Sequence, residues 1–135
     1  LKVYGNDISI IQNEMLKAIY KIKDKEDKAL YLKNIYKTVA ELYIKTPVPQ
    51  SLVKQHLGII NGYKDYVIGF EFLELQSKDP AKALAGVQTA KEAEDMLVTS
   101  FDSIKKIVLL NKITYAQNDP AYVWFLQSSE SIKTN

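Results

Sequence analysis

Apolar side chains recur at every third or fourth position through most of this chain, which is the period of an amphipathic α-helix. The repeat predicts four helices, at about residues 6–23, 25–45, 49–76 and 80–112. Each apolar stripe must be buried against another element. We therefore predict an all-α fold, an up-and-down four-helix bundle that forms one domain over residues 1–126.

Capping and helix-breaking residues stand between the stripes. Gly5-Asn6-Asp7 is expected to start the first helix. The prolines at 47 and 49 cannot continue a helix, so they are predicted to fix the angle between the second and third helices. The pair at 79–80 is typical of an N-cap and a first helical residue. Structural roles are predicted for six residues: Pro47, Pro49, His56, Asn61, Asp79 and Pro80.

Small residues mark where the third and fourth helices should meet. Three glycines at near-helical spacing lie in the third helix, at 58, 62 and 69, and they predict a close helix contact or a kink near Gly62. The fourth helix carries a seam that is small at first and large later, with Glu94 on it, so a neighbour should approach more closely at its alanine end. That seam is Ala83, Val87, Ala90, Leu97, Phe101, Ile104 and Val108.

Five consecutive apolar or aromatic residues, 122–126, follow a turn at Asp119-Pro120. Left in water they would expose an apolar patch that soluble monomers rarely carry. We predict that this segment folds back on the bundle, with Trp124 inserted among residues from the ends of helices. The alternative is an exposed docking segment for a partner. Residues 127–135 are polar and are expected to form a loose tail.

The composition excludes most kinds of catalytic site. The chain has one histidine, no cysteine and no arginine. Without a second histidine or a cysteine, His56 is expected to be a buried imidazole hydrogen-bonded to backbone near the proline break, rather than an acid, a base or a ligand. We predict no catalytic residue, no cofactor and no stoichiometric binding of a divalent metal.

The charge pattern bears on partners. The formal net charge is +2, from 18 lysines and 16 acidic residues in mixed order, and no basic block of the kind that binds nucleic acid is present. No apolar run of membrane-spanning length occurs. Because the sequence starts at Leu1, we expect a processed or trimmed start, so that any signal peptide or N-terminal anchor would lie outside this segment.

Four motifs occur together in this chain: Tyr4-Gly5-Asn6, Pro47-Val48-Pro49-Gln50-Ser51-Leu52 with His56-Leu57 and Asn61, Asp79-Pro80 with Ala83-Leu84 and Val87, and Asn118-Asp119-Pro120 with Tyr122. Taken together, they are similar to a family of small helical proteins encoded by candidate-phyla-radiation (Patescibacteria) genomes. The resemblance implies a hydrophobic segment ahead of the helical domain, and so an anchored or secreted extracytoplasmic domain. It brings no catalytic residues with it.

Two functions from different classes fit these observations. The first is a non-enzymatic interaction or scaffold domain with a protein partner, outside the cytoplasm and in the setting of a surface or secretion apparatus; a cytoplasmic location stays open. The second is a ligand-binding domain with an apolar, tyrosine-lined cavity. An exposed apolar patch favours the first and an enclosed cavity of about 300 Å³ or more the second. The candidate contact residues are Tyr63, Phe70, Phe101, Tyr122, Trp124 and Phe125.

Overall fold

A computed structural model describes residues 1–125, which are helical with no strand among them. The prediction of an all-α chain is confirmed. A 3₁₀ turn at Gln50–Leu52 leads into the third helix, and residues 122–125 are again helical. No helix in this part of the chain is long and apolar enough to cross a bilayer. The four α-helices are α1 (Lys2–Lys21), α2 (Lys28–Lys45), α3 (Val53–Leu73) and α4 (Pro80–Leu110).

The start of α1 differs from the sequence-based expectation. The helix begins at Lys2, so the predicted caps lie inside its first two turns. Two of these three residues make long-range contacts instead. Gly5 lies against the Tyr115 ring, and the Asn6 side-chain oxygen accepts a hydrogen bond from the Ala121 N–H at 3.1 Å. Residues that resemble a cap are therefore a docking site for the C-terminal segment.

Helices that are neighbours in the chain pack against each other in opposite directions. A salt bridge of 2.7 Å joins Lys33, near the start of α2, to Glu74, just after α3. The aromatic rings of Tyr43 and Tyr63 stack between the same two helices, with centroids 6.0 Å apart. A continuous core forms from the N-terminal half of α1, the C-terminal half of α2, the first half of α3, the second half of α4, and the C-terminal segment.

The contact between α3 and α4 is the closest in the molecule. A Cβ atom placed on Gly69 would lie 2.9 Å from the Gly86 carbonyl oxygen, and one on Gly62 would lie 2.7 Å from Leu97 Cγ. Such distances exclude side chains, so the two backbones touch where only glycine fits. The predicted close approach is confirmed, and it includes Gly86 of α4.

The inward face of α4 contains part of the predicted seam. Ala83, Leu97, Ile104 and Val108 are buried as predicted. Val87, in contrast, is 52 % exposed, and Glu94 also faces solvent. Gly86, Ala93 and Ser100 are buried instead of those two, because the residues that face a touching backbone are the small ones.

Both predicted breaks are present. Asp79 caps α4 through a 3.1 Å bond from the Lys82 N–H, and Pro80 follows as the first helical residue, as predicted. At the other end of α4, Lys112 adopts a left-handed conformation with φ of 56°. The Lys112 and Ile113 N–H groups then bond to the Leu109 and Val108 carbonyl oxygens, at 3.0 and 3.2 Å. This Schellman turn directs the chain back toward α1.

Candidate functional site

Five buried polar side chains from three helices form one hydrogen-bonded group, which we name the core polar cluster: Tyr4, Gln12, Tyr43, His56 and Tyr63. The Gln12 amide nitrogen donates to the hydroxyls of Tyr43 and Tyr63, at 2.7 and 3.0 Å. His56 bonds to the Tyr4 hydroxyl through Nδ1 at 2.8 Å and to the Tyr43 carbonyl oxygen through Nε2 at 2.7 Å. The cluster therefore joins α1, α2 and α3 by directional bonds at the centre of the core.

The hydrogen-bond partners of His56 determine which of its ring nitrogens carries the hydrogen. A backbone carbonyl only accepts, so Nε2 carries the hydrogen and Nδ1 accepts the Tyr4 hydroxyl hydrogen. Burial lowers the pKa of His56, and the bond to the Tyr43 carbonyl opposes this in part. The His56 ring is 4 % exposed and lies against the C-terminal end of α2, beside the proline break. This position agrees with the structural role predicted for it.

The tyrosines of the cluster are held in their neutral form. Burial raises the pKa of Tyr63 to about 12, raises that of Tyr4, and raises that of Tyr43 well above its usual range. The Gln12 bond pulls the pKa of Tyr63 and Tyr43 back down to a smaller extent. Neutral phenols with satisfied hydroxyls stabilise a core, and none of them is poised to give up its proton near neutral pH.

A second aromatic group lies beside the cluster, between α2 and α3. Tyr36 stacks on Tyr66 and Phe70, with ring centroids 5.0 and 6.0 Å away. Burial raises the pKa of Tyr66 to about 12, and the negative charge of Glu94 adds to the shift. Glu94 also raises the pKa of Tyr36, after the larger effect of burial. Glu94 therefore acts on these tyrosines from the exposed side of α4.

The C-terminal segment lies along α1. Tyr115 and Phe125 stack with centroids 5.3 Å apart, Phe125 is buried, and the Trp124 indole N–H donates to the Asn13 side-chain oxygen at 2.9 Å. The predicted folding back is thus present. The predicted position of Trp124 is wrong, because its ring flanks the middle of α1 rather than helix ends. Val123 points into solvent, and residues 126–135, with the predicted loose tail, lie outside the described residues.

An open apolar groove of about 420 Å³ runs between α1 and α2. A second hollow of about 360 Å³ shares Ile11 and Leu42 with it and extends toward Pro47. We name the 420 Å³ space the α1/α2 groove. It is lined by Ile11, Glu14, Met15, Ala18, Lys21 and Ile22 from α1 and the turn after it, and by Tyr31, Asn34, Ile35, Thr38, Val39 and Leu42 from α2.

The predicted contact residues do not form one cavity. Tyr63 belongs to the core polar cluster and Phe70 to the aromatic stack. Phe101 and Trp124 line a gap of only about 20 Å³, and Tyr122 is half-buried on the C-terminal segment. The tyrosine-lined cavity is therefore not where it was predicted. An open space of about 420 Å³ lies instead between the two helices whose apolar stripes were assigned to the core.

Asn61 is the one predicted structural residue that lies away from its expected neighbours. It is exposed, because five helical residues turn it about 140° from His56. The residues that bond to His56 are Tyr4 and Tyr43, and Gln12 joins the group through the hydroxyls of Tyr43 and Tyr63. No structural role was predicted for these partners. For Gln12 the one signal was position, since it directly follows Ile11 of the α1 apolar stripe. Within residues 1–125 no three acidic, histidine or cysteine side chains are grouped to hold a metal.

Comparisons with known proteins add no relative. No protein-family model matches the chain. No curated protein is similar to it, and no solved structure matches it. A functional proposal for this chain therefore rests on the geometry of the cluster, the C-terminal segment and the groove.

Proposed function

We propose that this chain is a non-enzymatic protein-interaction domain that binds an amphipathic α-helix of a partner protein in the α1/α2 groove. The observation that carries the proposal is the groove itself. It is open to solvent and apolar along its length, and Leu42 and Tyr31 at its edge are 41 % and 40 % exposed. Exposed apolar surface of this kind is typical of a docking site.

The shape of the groove favours a helix as its occupant. From Ile11 to Ile22 the α1 wall is about 16 Å long at 1.5 Å per residue, which matches about three turns of a docked helix. The two walls are themselves antiparallel helices, so a third helix can pack its ridge between them. A partner with apolar side chains at i, i+3 or i+4, and i+7 would fill the space.

A lysine stands at each end of the groove. Lys21 lines one end, and Lys45 lines, together with Asp7, the hollow that continues from the other end. Neither ammonium group is in an ion pair within the described residues, whereas Glu14 between them is paired with Lys17 at 3.3 Å. The complementary helix carries a carboxylate at each end of its apolar stripe, which would steer its approach.

The ligand-binding alternative has one observation in its favour. A volume of about 420 Å³ lies within the range of small-molecule sites. The groove is open along its side, however, and small ligands are usually enclosed over most of their surface. An apolar small molecule is therefore the second candidate occupant, and a peptide-binding experiment separates the two.

We also infer the finer architecture and the setting of the domain. The opposite directions of successive helices, and the short connections between them, support an up-and-down four-helix bundle with the C-terminal segment packed on it. A place outside the cytoplasm is proposed from the family resemblance alone. A role in a surface or secretion apparatus rests on the same resemblance.

Binding of a designed peptide tests the function. The probe is a helix of about 14 residues with leucines at i, i+4, i+7 and i+11 and a glutamate at each end, compared with a scrambled peptide of the same composition. We expect saturable binding by fluorescence anisotropy, at least tenfold weaker in Leu42→Glu and unchanged in Ile44→Glu. Ile44 is the matched control, because it is exposed on the same helix and does not line the groove.

Three other results would contradict the helix proposal. Equal binding of the scrambled peptide, or equal loss in both variants, would mean that the groove does not recognise a helix. Failure of the peptide combined with one-to-one binding of dodecanol that Leu42→Glu abolishes would assign the groove to a small apolar ligand.

A further inference from the structure

Beyond this function, we propose that His56 is an acid-operated latch, whose protonation releases the N-terminal half of α1 from α3. The latch is the hydrogen bond between the Tyr4 hydroxyl of α1 and His56 Nδ1 of α3. The release itself needs no partner protein. Its effect on binding rests on the proposed function, because α1 forms one wall of the α1/α2 groove.

The geometry makes the bond sensitive to one proton. His56 Nε2–H is committed to the Tyr43 carbonyl oxygen, so Nδ1 is the only position that can take up a proton. Once Nδ1 carries a hydrogen, it can no longer accept from Tyr4. The Tyr4 hydroxyl has no other hydrogen-bond partner in the described residues, so rotating it to accept leaves its hydrogen buried and unpaired.

No negative charge is in place to stabilise the protonated ring. The ring faces Tyr4 from α1 and Tyr43 from α2, and both side chains are neutral phenols. Across residues 1–125, neither α4 nor the C-terminal segment makes a hydrogen bond, a ring contact or an ion pair with His56. A buried imidazolium without a partner is unfavourable.

Release rather than collapse follows from how the helices are held. The backbones of α3 and α4 touch at Gly69 and Gly86, and that contact has no titratable group. The groove separates α1 from α2 only from Ile11 onward. The N-terminal half of α1 is joined to α3 by the side-chain bonds of Tyr4 and Gln12 and not by touching backbones, so it is the part that loss of the Tyr4 bond loosens, together with Ala121, which is bonded to Asn6.

The direction of the pH effect follows from burial. The pKa of His56 is lower in the folded protein than in the unfolded chain, so the unfolded chain takes up its proton first. The stabilising contribution is complete above the ordinary histidine value of about 6.5 and declines as the pH falls below it. Since this is the only histidine in the chain, no other side chain has its ordinary pKa in that range.

Amide hydrogen exchange and an NMR titration of the imidazole test the latch. In the full chain we expect the ring to titrate below its unfolded value. Between pH 7 and pH 5, the amides of residues 4–12 should lose at least tenfold of their protection after correction for intrinsic exchange, while those of α3 and α4 keep theirs. His56→Gln supplies one donor and one acceptor without a titrating proton, so its protection should not change with pH.

A second variant covers the case in which His56→Gln does not fold. Tyr4→Phe removes the latch, so residues 4–12 should already be poorly protected at pH 7 and change little at pH 5. The proposal is overturned if protection of α1 falls equally in His56→Gln, if all helices lose protection together, or if the ring titrates while residues 4–12 stay protected. None of these results depends on peptide binding, so the latch and the groove can fail separately.

Discussion

The α3/α4 pair and the α1/α2 pair are held together by different means. In the first pair, glycines let two backbones touch, and Gly86 leaves no room for a Cβ atom. In the second pair, larger side chains keep the helices apart, and an open groove remains between them. The looser pair is instead tied to α3 through Gln12, Tyr43, Tyr63 and His56.

The contrast shows how stability and openness are divided in one small domain. Close packing is non-directional and leaves no space, so it suits the α3/α4 pair, which stabilises the fold and forms no groove. Hydrogen bonds between buried polar groups hold helices at a chosen separation without filling the gap between them. The α1/α2 pair keeps its exposed groove because the core polar cluster, and not full side-chain interdigitation, sets its position.

The largest expected effect comes from adding a side chain to the tight pair. Gly86→Leu should destabilise the protein by about 3 kcal/mol or more, because a Cβ atom there would lie 2.7 Å from the Gly69 carbonyl oxygen and 2.7 Å from Phe72 Cβ. Urea unfolding gives the measurement. Ala85→Leu, on the exposed side of the same helix, is the control and should change stability by about 0.5 kcal/mol at most.

Removing the C-terminal segment tests how much this segment stabilises α1, and through it the α1/α2 pair. A chain that ends at Asn118 should melt several degrees below one that ends at Phe125, because burial of Phe125 contributes about 2 kcal/mol and two bonds to α1 are lost. If the two chains melt together, and the longer one self-associates, the segment serves a partner rather than the fold.

The contribution to stability of the Gln12 hydrogen bonds, which join α1 to α2 and α3, can be measured by a mutant cycle. Gln12→Met leaves the buried hydroxyls of Tyr43 and Tyr63 without their partner, which should cost about 2 kcal/mol. Adding Tyr43→Phe and Tyr63→Phe removes those hydroxyls, so the triple variant should recover most of the loss in urea unfolding. No recovery would mean that Gln12 acts through its packing alone.

Alkaline pH should weaken the same hydrogen bonds of the core polar cluster. The pKa of Tyr63 is about 12 in the folded protein and about 10 in the unfolded chain, so its contribution is complete below pH 10 and declines above it. At pH 11 the expected loss from Tyr63 is about 1 kcal/mol. Tyr63→Phe should show a shallower decline in stability between pH 9 and 11 than the parent chain, and an identical decline would contradict the assignment.

The smallest expected effect is a gain. Lys112 holds the left-handed conformation that glycine adopts without strain, so Lys112→Gly should stabilise the protein by about 0.5–1 kcal/mol. Lys106→Gly, at an exposed position inside α4, is the control and should destabilise it by about 1 kcal/mol. Equal effects would mean that the turn into the C-terminal segment carries no strain.

The sequence predicted the parts of this fold that depend on local chemistry. The helical period located four helices, Asp79-Pro80 located the start of α4, and the glycines of α3 located the close contact. The core polar cluster could not be predicted, because Gln12 and the tyrosines are buried only by the way three helices meet. The groove was missed for the same reason, since Ile11 and Val39 fit a filled core and an open one equally well.

The bond between Asn6 and Ala121 also bears on the order in which the chain can fold during synthesis. The α3/α4 hairpin needs only neighbouring sequence, so it can form while the rest of the chain is still being made. Asn6 meets its partner 115 residues later, so this contact cannot form until Ala121 has left the ribosome. Tyr4 and Gln12 can meet their partners in α2 and α3 earlier, so we expect Asn6 to be the part of α1 whose contacts are completed last.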